Sequence, residues 1–131
     1  MPAGTLVVST SATMQFSDIT AQLQKAVTAS TVVDGVCHVY NPHTTAGLTI
    51  NEGADPDVQA DILAALQKIV PLSYPYRHLE GNSPAHVMAS LTGSSVTVFI
   101  ENGRLQLGTW QKIFFCEFDG PRSRKVLWRI T

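Results

Sequence analysis

Residues 78–86 read His-Leu-Glu-Gly-Asn-Ser-Pro-Ala-His, and residues 43–52 read His-Thr-Thr-Ala-Gly-Leu-Thr-Ile-Asn-Glu. Three of the four histidines of the chain lie in these two blocks. Imidazoles bind metals and move protons near neutral pH. Three of them, His43, His78 and His86, are enough to hold a zinc-like ion with open positions for water or substrate. Their spacing matches no local metal motif, and the plainer reading is three hydrogen-bonding histidines in loops. His38, between Val36 and Tyr40, reads as a packed sheet residue.

Carboxylates stand nearby. Glu52 and Asp55 flank Gly53-Ala54, where they could hold Mg²⁺ together with substrate phosphates. Asp55 also reads as a helix N-cap. Glu80 could orient a histidine by accepting its second N–H. For an anion, the candidates are the helix starts at Asp55-Pro56 and Ser83-Pro84, the Gly93-Ser94-Ser95 backbone, and the guanidinium groups of Arg104 and Arg122. Arg122, Arg124 and Lys125 taken together read as a solvated strand end. Gly108-Thr109-Trp110-Gln111 offers a flat face for a heteroaromatic ring, or else a core tryptophan. Neither a P-loop nor a Gly-x-Ser-x-Gly elbow occurs.

The elements that must position these groups follow from periodicity. Residues 5–11 read as a strand. Ser17-Asp18 reads as a helix start, with Ile19, Leu23, Ala26 and Val27 on its inner side. Residues 31–40 read as a strand entered through an Asp34-Gly35 bend. Residues 44–51 are extended, with a bulge or a close backbone approach expected at Gly47. A helix capped by Asp55, with Pro56 at its first position, carries the stripe Val58, Ile62, Leu66 and Ile69 and ends before Pro71. Residues 71–83 form a loop, and a short helix runs from Ser83 to Leu91, stopped by Gly93. Residues 95–100, 106–118 and 125–130 read as strands, the first two joined at Asn102-Gly103. This order predicts one α+β domain over 1–131, mostly antiparallel sheet with two or three helices packed on one face.

Composition bounds the rest. At 131 residues the chain supports one core. Charged residues are 15%, below the roughly 25% usual for soluble proteins, which favours surface buried in an oligomer. A net charge of −1 gives no basic face for nucleic acid. No run approaches a membrane span. Residues 1–9 lack a basic start and a long apolar run, so no signal peptide and a cytoplasmic location are expected. Cys37 and Cys116 read as buried thiols.

The motifs His43-Thr44-Thr45-Ala46-Gly47-Leu48-Thr49-Ile50-Asn51-Glu52, Asp55-Pro56, His78-x-Glu80-Gly81, Pro84-Ala85-His86, Gly103-Arg104-x-Gln106-x-Gly108-Thr109-Trp110-Gln111 and Gly120-Pro121-Arg122 resemble the YjbQ-like family. The resemblance spans roughly 43–125. It departs at Lys112, where the family pattern has Gly after Trp-Gln, which puts a close backbone contact there in doubt. That family is described as secondary thiamine-phosphate synthases.

The resemblance implies a compact α+β homotrimer with polar sites near subunit interfaces. It implies that His43, His78 and His86 converge, on a divalent metal of Mg or Zn type. The implied reaction joins hydroxymethylpyrimidine diphosphate to thiazole phosphate and releases pyrophosphate. Its catalytic residues would be His43, Glu52 and His86. Thr44, Asn51, Glu80, Arg104, Trp110 and Gln111 would bind a small phosphorylated substrate. Two other readings stand beside it: a metal-dependent, hydrolase-like enzyme using the three histidines, and a non-catalytic trimer that binds a small anion.

Overall fold

The computed structural model describes residues 1–131. Its layering is decided by strand β7 (Gln111–Glu117), which is buried on both faces from Ile113 onward. Ile113 and Phe115 point into one core, while Phe114, Cys116 and the following Phe118 point into another. A continuous apolar run is what a strand between two layers requires. β7 lies between β2 (Gln15–Asp18) and β4 (Ala46–Glu52) in a three-stranded antiparallel sheet.

On one side lies a five-stranded antiparallel sheet, in the order β1 (Ala3–Ser9), β8 (Ser123–Ile130), β3 (Gly35–Tyr40), β5 (Ser95–Glu101) and β6 (Arg104–Leu105). Helix α1 (Thr20–Ser30) adds buried Leu23 and Val27 to the core between the sheets. On the other side lie α2 (Pro56–Ile69) and α3 (Ser83–Thr92). Leu63 and Leu66 of α2, and Ala85, Met88 and Ala89 of α3, cover Phe114, Cys116 and Phe118. The α+β class and antiparallel pairing agree with the sequence reading. The helices, however, divide between the two cores rather than sharing one face.

Several boundaries differ for local reasons. Ser17-Asp18 belongs to β2, paired with Phe115 and Phe114. The helix starts two residues later, where Asp18 Oδ1 accepts the Thr20 N–H at 2.9 Å. Only Phe16 is apolar in β2, so alternation gave no signal. The 31–40 strand shortens to Gly35–Tyr40 because Thr31 turns left-handed, at φ 60°, and ends α1. The 106–118 strand shortens to Gln111–Glu117, since Gln111 Oε1 accepts the Gly108 N–H at 2.8 Å and closes a turn ahead of β7. Ile69, the last residue of the apolar stripe of α2, is 66% exposed, and α2 has no fully buried residue.

Other expectations hold. Asp55 caps α2 by accepting the Asp57 N–H at 2.9 Å. Asn102 and Gly103 take positive φ in the β5–β6 turn. Both cysteines are buried and unpaired. Gly47 marks a close approach without a bulge: a Cβ there would lie 2.0 Å from Thr92 Oγ1 and 3.0 Å from the Gly93 carbonyl. The end of α3 thus sits on β4, fixing the helix that carries His86. No helix is long and apolar enough to cross a membrane.

Candidate functional site

Asn41, 1% exposed, shapes the loop between β3 and β4. Its Oδ1 accepts the His43 N–H at 3.0 Å, and its Nδ2 donates to the Ala46 carbonyl at 2.7 Å. Asparagine favours such turns because its side chain mimics a backbone segment. The loop presents His43, Thr44 and Thr45 beside β8. There the Lys125 N–H donates to His43 Nε2 at 2.9 Å, and the ring stands edge-on to Phe115 at 6.5 Å between centroids.

Beneath this loop is a buried ion pair. Arg124 Nε donates to Glu117 Oε1 at 2.8 Å, and its Nη2 makes a second contact with Oε2. Glu117 is fully buried and Arg124 is 3% exposed. Thr10 Oγ1 donates to Oε1 at 2.8 Å, and the Asp119 N–H donates to Oε2 at 3.1 Å. Arg124 Nη2 also donates to Thr45 Oγ1 at 2.9 Å. Every oxygen of the carboxylate is therefore used, as a buried charge requires. Burial pushes the Glu117 carboxyl up, but Arg124, the Thr10 hydroxyl and the Asp119 amide together hold it below the ordinary range. Arg122 is more open, with Nη2 2.9 Å from Asp119 Oδ2. Asn82 Nδ2 donates to the same oxygen at 3.0 Å, and Asn82 Oδ1 is buried without a partner.

The third wall is the 71–82 loop and the first turn of α3. His78 and His86 lie with ring centroids 5.4 Å apart, edge to face. No side chain caps the α3 N-terminus, and no acidic residue stands in its first turn. These walls enclose a cleft of about 380 Å³, lined by Pro42 and nine polar residues: His43, Thr44, Thr45, His78, Glu80, Asn82, His86, Arg122 and Arg124.

The structure thus brings His43, Thr44, His78, Glu80 and His86 together. It places the other expected site residues elsewhere. β4 leads away from the cleft, and Asn51 and Glu52 pair with Lys112 and Gln111 at its far end, about 20 Å off at the usual rise per residue. Glu52 Oε2 accepts the Ala54 and Asp55 N–H groups at 2.5 and 3.3 Å. Glu52 and Asp55 are therefore occupied as caps in this arrangement. Trp110 is 63% exposed in the turn before β7, neither core nor cleft wall. Lys112 lays its stem on Gly53, where a Cβ would meet its Cγ at 2.0 Å. Arg104 lines a separate hollow with Gln24 and Thr28 of α1. His38 is exposed on the outer sheet face, 3.2 Å from Thr131 Oγ1, and is not packed.

Sequence reasoning missed Asn41, Thr45, Asn82 and Glu117, and it read Arg124 as part of a solvated strand end. Two signals were available. Glu117 is a lone acid inside an apolar run, and such a charge needs a partner. Arg124 shares the strand phase of Val126 and Ile130, so it faces inward.

The chemistry of His43 bears on the implied metal. A proton on Nε2 would collide with the Lys125 N–H, so the neutral ring carries its proton on Nδ1, and both nitrogens are then unavailable as ligands. No three His, Cys, Asp or Glu side chains group closely enough to hold a metal ion. The three-histidine metal set does not fit this arrangement. Burial and then the Arg124 charge hold His43 below the ordinary imidazole range, with Glu117 pulling the other way.

Residues 4–131 match the family described as UPF0047 protein YjbQ-like. A UPF0047 protein of Methanocaldococcus jannaschii is 48% identical over 94% of this chain and 89% of its own length. The Bacillus subtilis UPF0047 protein YugU is 47% identical over 92% of each. A crystal structure of a YjbQ/UPF0047 family protein from Clostridium acetobutylicum superposes with a TM-score of 0.95 at 57% identity, covering 97% of this chain and 98% of that one. A YbjQ-like protein of unknown function from Sulfolobus solfataricus superposes at 0.93 with 31% identity, covering 98% and 94%. Match length, identity and shared architecture agree: the chain belongs to the YjbQ-like UPF0047 family.

Proposed function

We propose that the protein is an enzyme acting on a small phosphorylated substrate whose phosphoryl group lies in the polar cleft. One observation carries this reading: two arginines, three histidines and an uncapped helix N-terminus meet in a space of about 380 Å³ whose one hydrocarbon side chain is that of Pro42. Helix N-termini and guanidinium forks complement phosphate oxygens. The His78–His86 pair supplies an imidazole able to pass a proton to the departing pyrophosphate oxygen.

The reaction proposed is the one the family resemblance implies. The bond from the methylene carbon of hydroxymethylpyrimidine diphosphate to the diphosphate oxygen breaks, and pyrophosphate leaves with the electron pair. The stabilised pyrimidine cation that remains is captured by the lone pair of the thiazole nitrogen, which forms the new C–N bond. The cleft supports the pyrophosphate half of this reading. The half that joins the two rings rests on the resemblance alone.

The test is incubation of purified protein with the two phosphorylated substrates, following thiamine phosphate and released pyrophosphate. Formation of both, lost in His86→Ala, supports the transfer. Pyrophosphate binding without product removes the transfer but keeps the phosphoryl site, leaving the non-catalytic anion-binding reading. Absence of both removes the whole proposal.

A further inference from the structure

We infer that His43 is a fixed-tautomer hydrogen-bond donor, presenting Nδ1–H to a phosphoryl oxygen of the substrate, with its orientation set by the Lys125 backbone. This role rests on the proposed phosphoryl site and adds to it a named donor atom. Three observations carry it.

The first is the 2.9 Å bond from the Lys125 N–H to Nε2. A backbone N–H can only donate, so the nitrogen it meets must offer a lone pair. In neutral imidazole the other nitrogen then bears the hydrogen. The second is position. The ring lines the cleft, and no protein acceptor takes a hydrogen bond from Nδ1. The loop that holds it is clamped on both sides of the residue by Asn41. The third is charge. Arg124 and Arg122 are cations whose charge bears on the ring, while Glu117 is bonded to Arg124 and Thr10. Burial and Arg124 both favour the neutral ring. A neutral donor held beside cations contributes a directed bond without adding to their mutual repulsion. No proton leaves the ring, because neutral imidazole is a very weak acid. The role is positioning and charge dispersal on the phosphoryl group, aimed where negative charge grows as the leaving group departs.

Heteronuclear NMR on protein carrying isotope-labelled histidine reads the tautomer directly in the intact protein. The inference expects one neutral, Nδ1-protonated histidine at neutral pH. Its signals should be missing from the His43→Asn spectrum, and its Nδ1–H resonance should move when inorganic pyrophosphate is added. Titration of pyrophosphate into variants adds a second reading. His43→Ala should bind it ~10-fold more weakly or worse, since a hydrogen bond to a charged acceptor is lost. His43→Asn keeps an amide N–H near the Nδ1 position and should stay within ~3-fold of the native protein, whereas His43→Gln, whose amide sits nearer the Nε2 position, should behave like Ala. A His43 protonated on Nε2, or charged at neutral pH, overturns the inference. So does an Asn variant as weak as Ala in a protein that still binds pyrophosphate. Native protein that binds no pyrophosphate overturns the phosphoryl reading itself, and the tautomer spectrum separates that outcome from a wrong His43 assignment.

Discussion

Arg124 and Glu117 meet through two contacts, Nε on Oε1 at 2.8 Å and Nη2 on Oε2, in the layer directly beneath the cleft. The pair joins β8 to the end of β7, and through Thr45 it also holds the loop bearing His43. Removing one partner leaves a buried charge uncompensated, which costs about 3–5 kcal/mol. Glu117→Gln should therefore lower the melting temperature by roughly 10 °C or more for a domain of this size, measured by thermal unfolding. A shift within error would mean that water reaches Arg124 freely.

Acid should weaken the fold in two stages. His43 is held below 6.5 in the folded chain, so the unfolded chain binds that proton first. Stability from this source is complete above pH 6.5 and drains away as pH falls toward the lowered value. Glu117 is held below 4.5, so its contribution is complete above 4.5 and is lost as pH falls further. Both slopes have the same sign, since the unfolded state carries more protons. Urea midpoints measured against pH should show the upper stage vanish in His43→Asn and the lower stage shrink in Glu117→Gln. A midpoint that rises on acidification contradicts both assignments.

Gly47 should tolerate no side chain. A methyl group there meets Thr92 Oγ1 at 2.0 Å and the Gly93 carbonyl at 3.0 Å, and overpacking of this kind costs about 1–3 kcal/mol. Because α3 carries His86, Gly47→Ala should also weaken pyrophosphate binding. Denaturant unfolding and calorimetric titration check the two effects, and the double variant Gly47→Ala/Thr92→Ala, which removes the hydroxyl, separates the hydroxyl clash from the carbonyl one.

His86 sits in the first turn of a helix anchored on β4, while His78 hangs on the 71–82 loop. If the pair moves the proton, His86→Ala should lower kcat by ~100-fold, within the usual range for general acid–base catalysis, with little change in melting temperature. Steady-state kinetics on product formation measure this. Unchanged kcat would transfer the role away from the pair.

The class of fold was legible because β propensity, the Asp55-Pro56 start and the Gly93 stop are local signals. The split of the helices was not, since only the two-faced burial of β7 decides it, and that depends on what packs against each side. In the site, the histidine blocks identified three residues that do meet. Within one chain, the 43–52 block does not act as one unit. A strand carries its two ends about 20 Å apart, so His43 and Glu52 cannot share a small cleft within one chain. Asn41 and Asn82 escaped notice because their value lies in partners distant in sequence or in loop carbonyls, which spacing does not reveal.

The distances give a direct consequence for the far end of β4. Glu52→Gln and Trp110→Ala should leave pyrophosphate affinity within ~2-fold of the native protein, as expected of surface changes away from a site. A loss of tenfold in either would place that end of the sheet in the binding site, through a second copy of the chain.

The central claim is that the cleft takes a phosphoryl group, and calorimetric titration of inorganic pyrophosphate into native protein and Arg122→Ala tests it most directly. Arg122 is half-exposed and paired only with Asp119, so its loss should cost little stability, about 0–1 kcal/mol. Saturable, salt-sensitive binding that weakens ~10-fold or more in Arg122→Ala is the predicted result. No binding by the native protein, or equal binding by both, would contradict it.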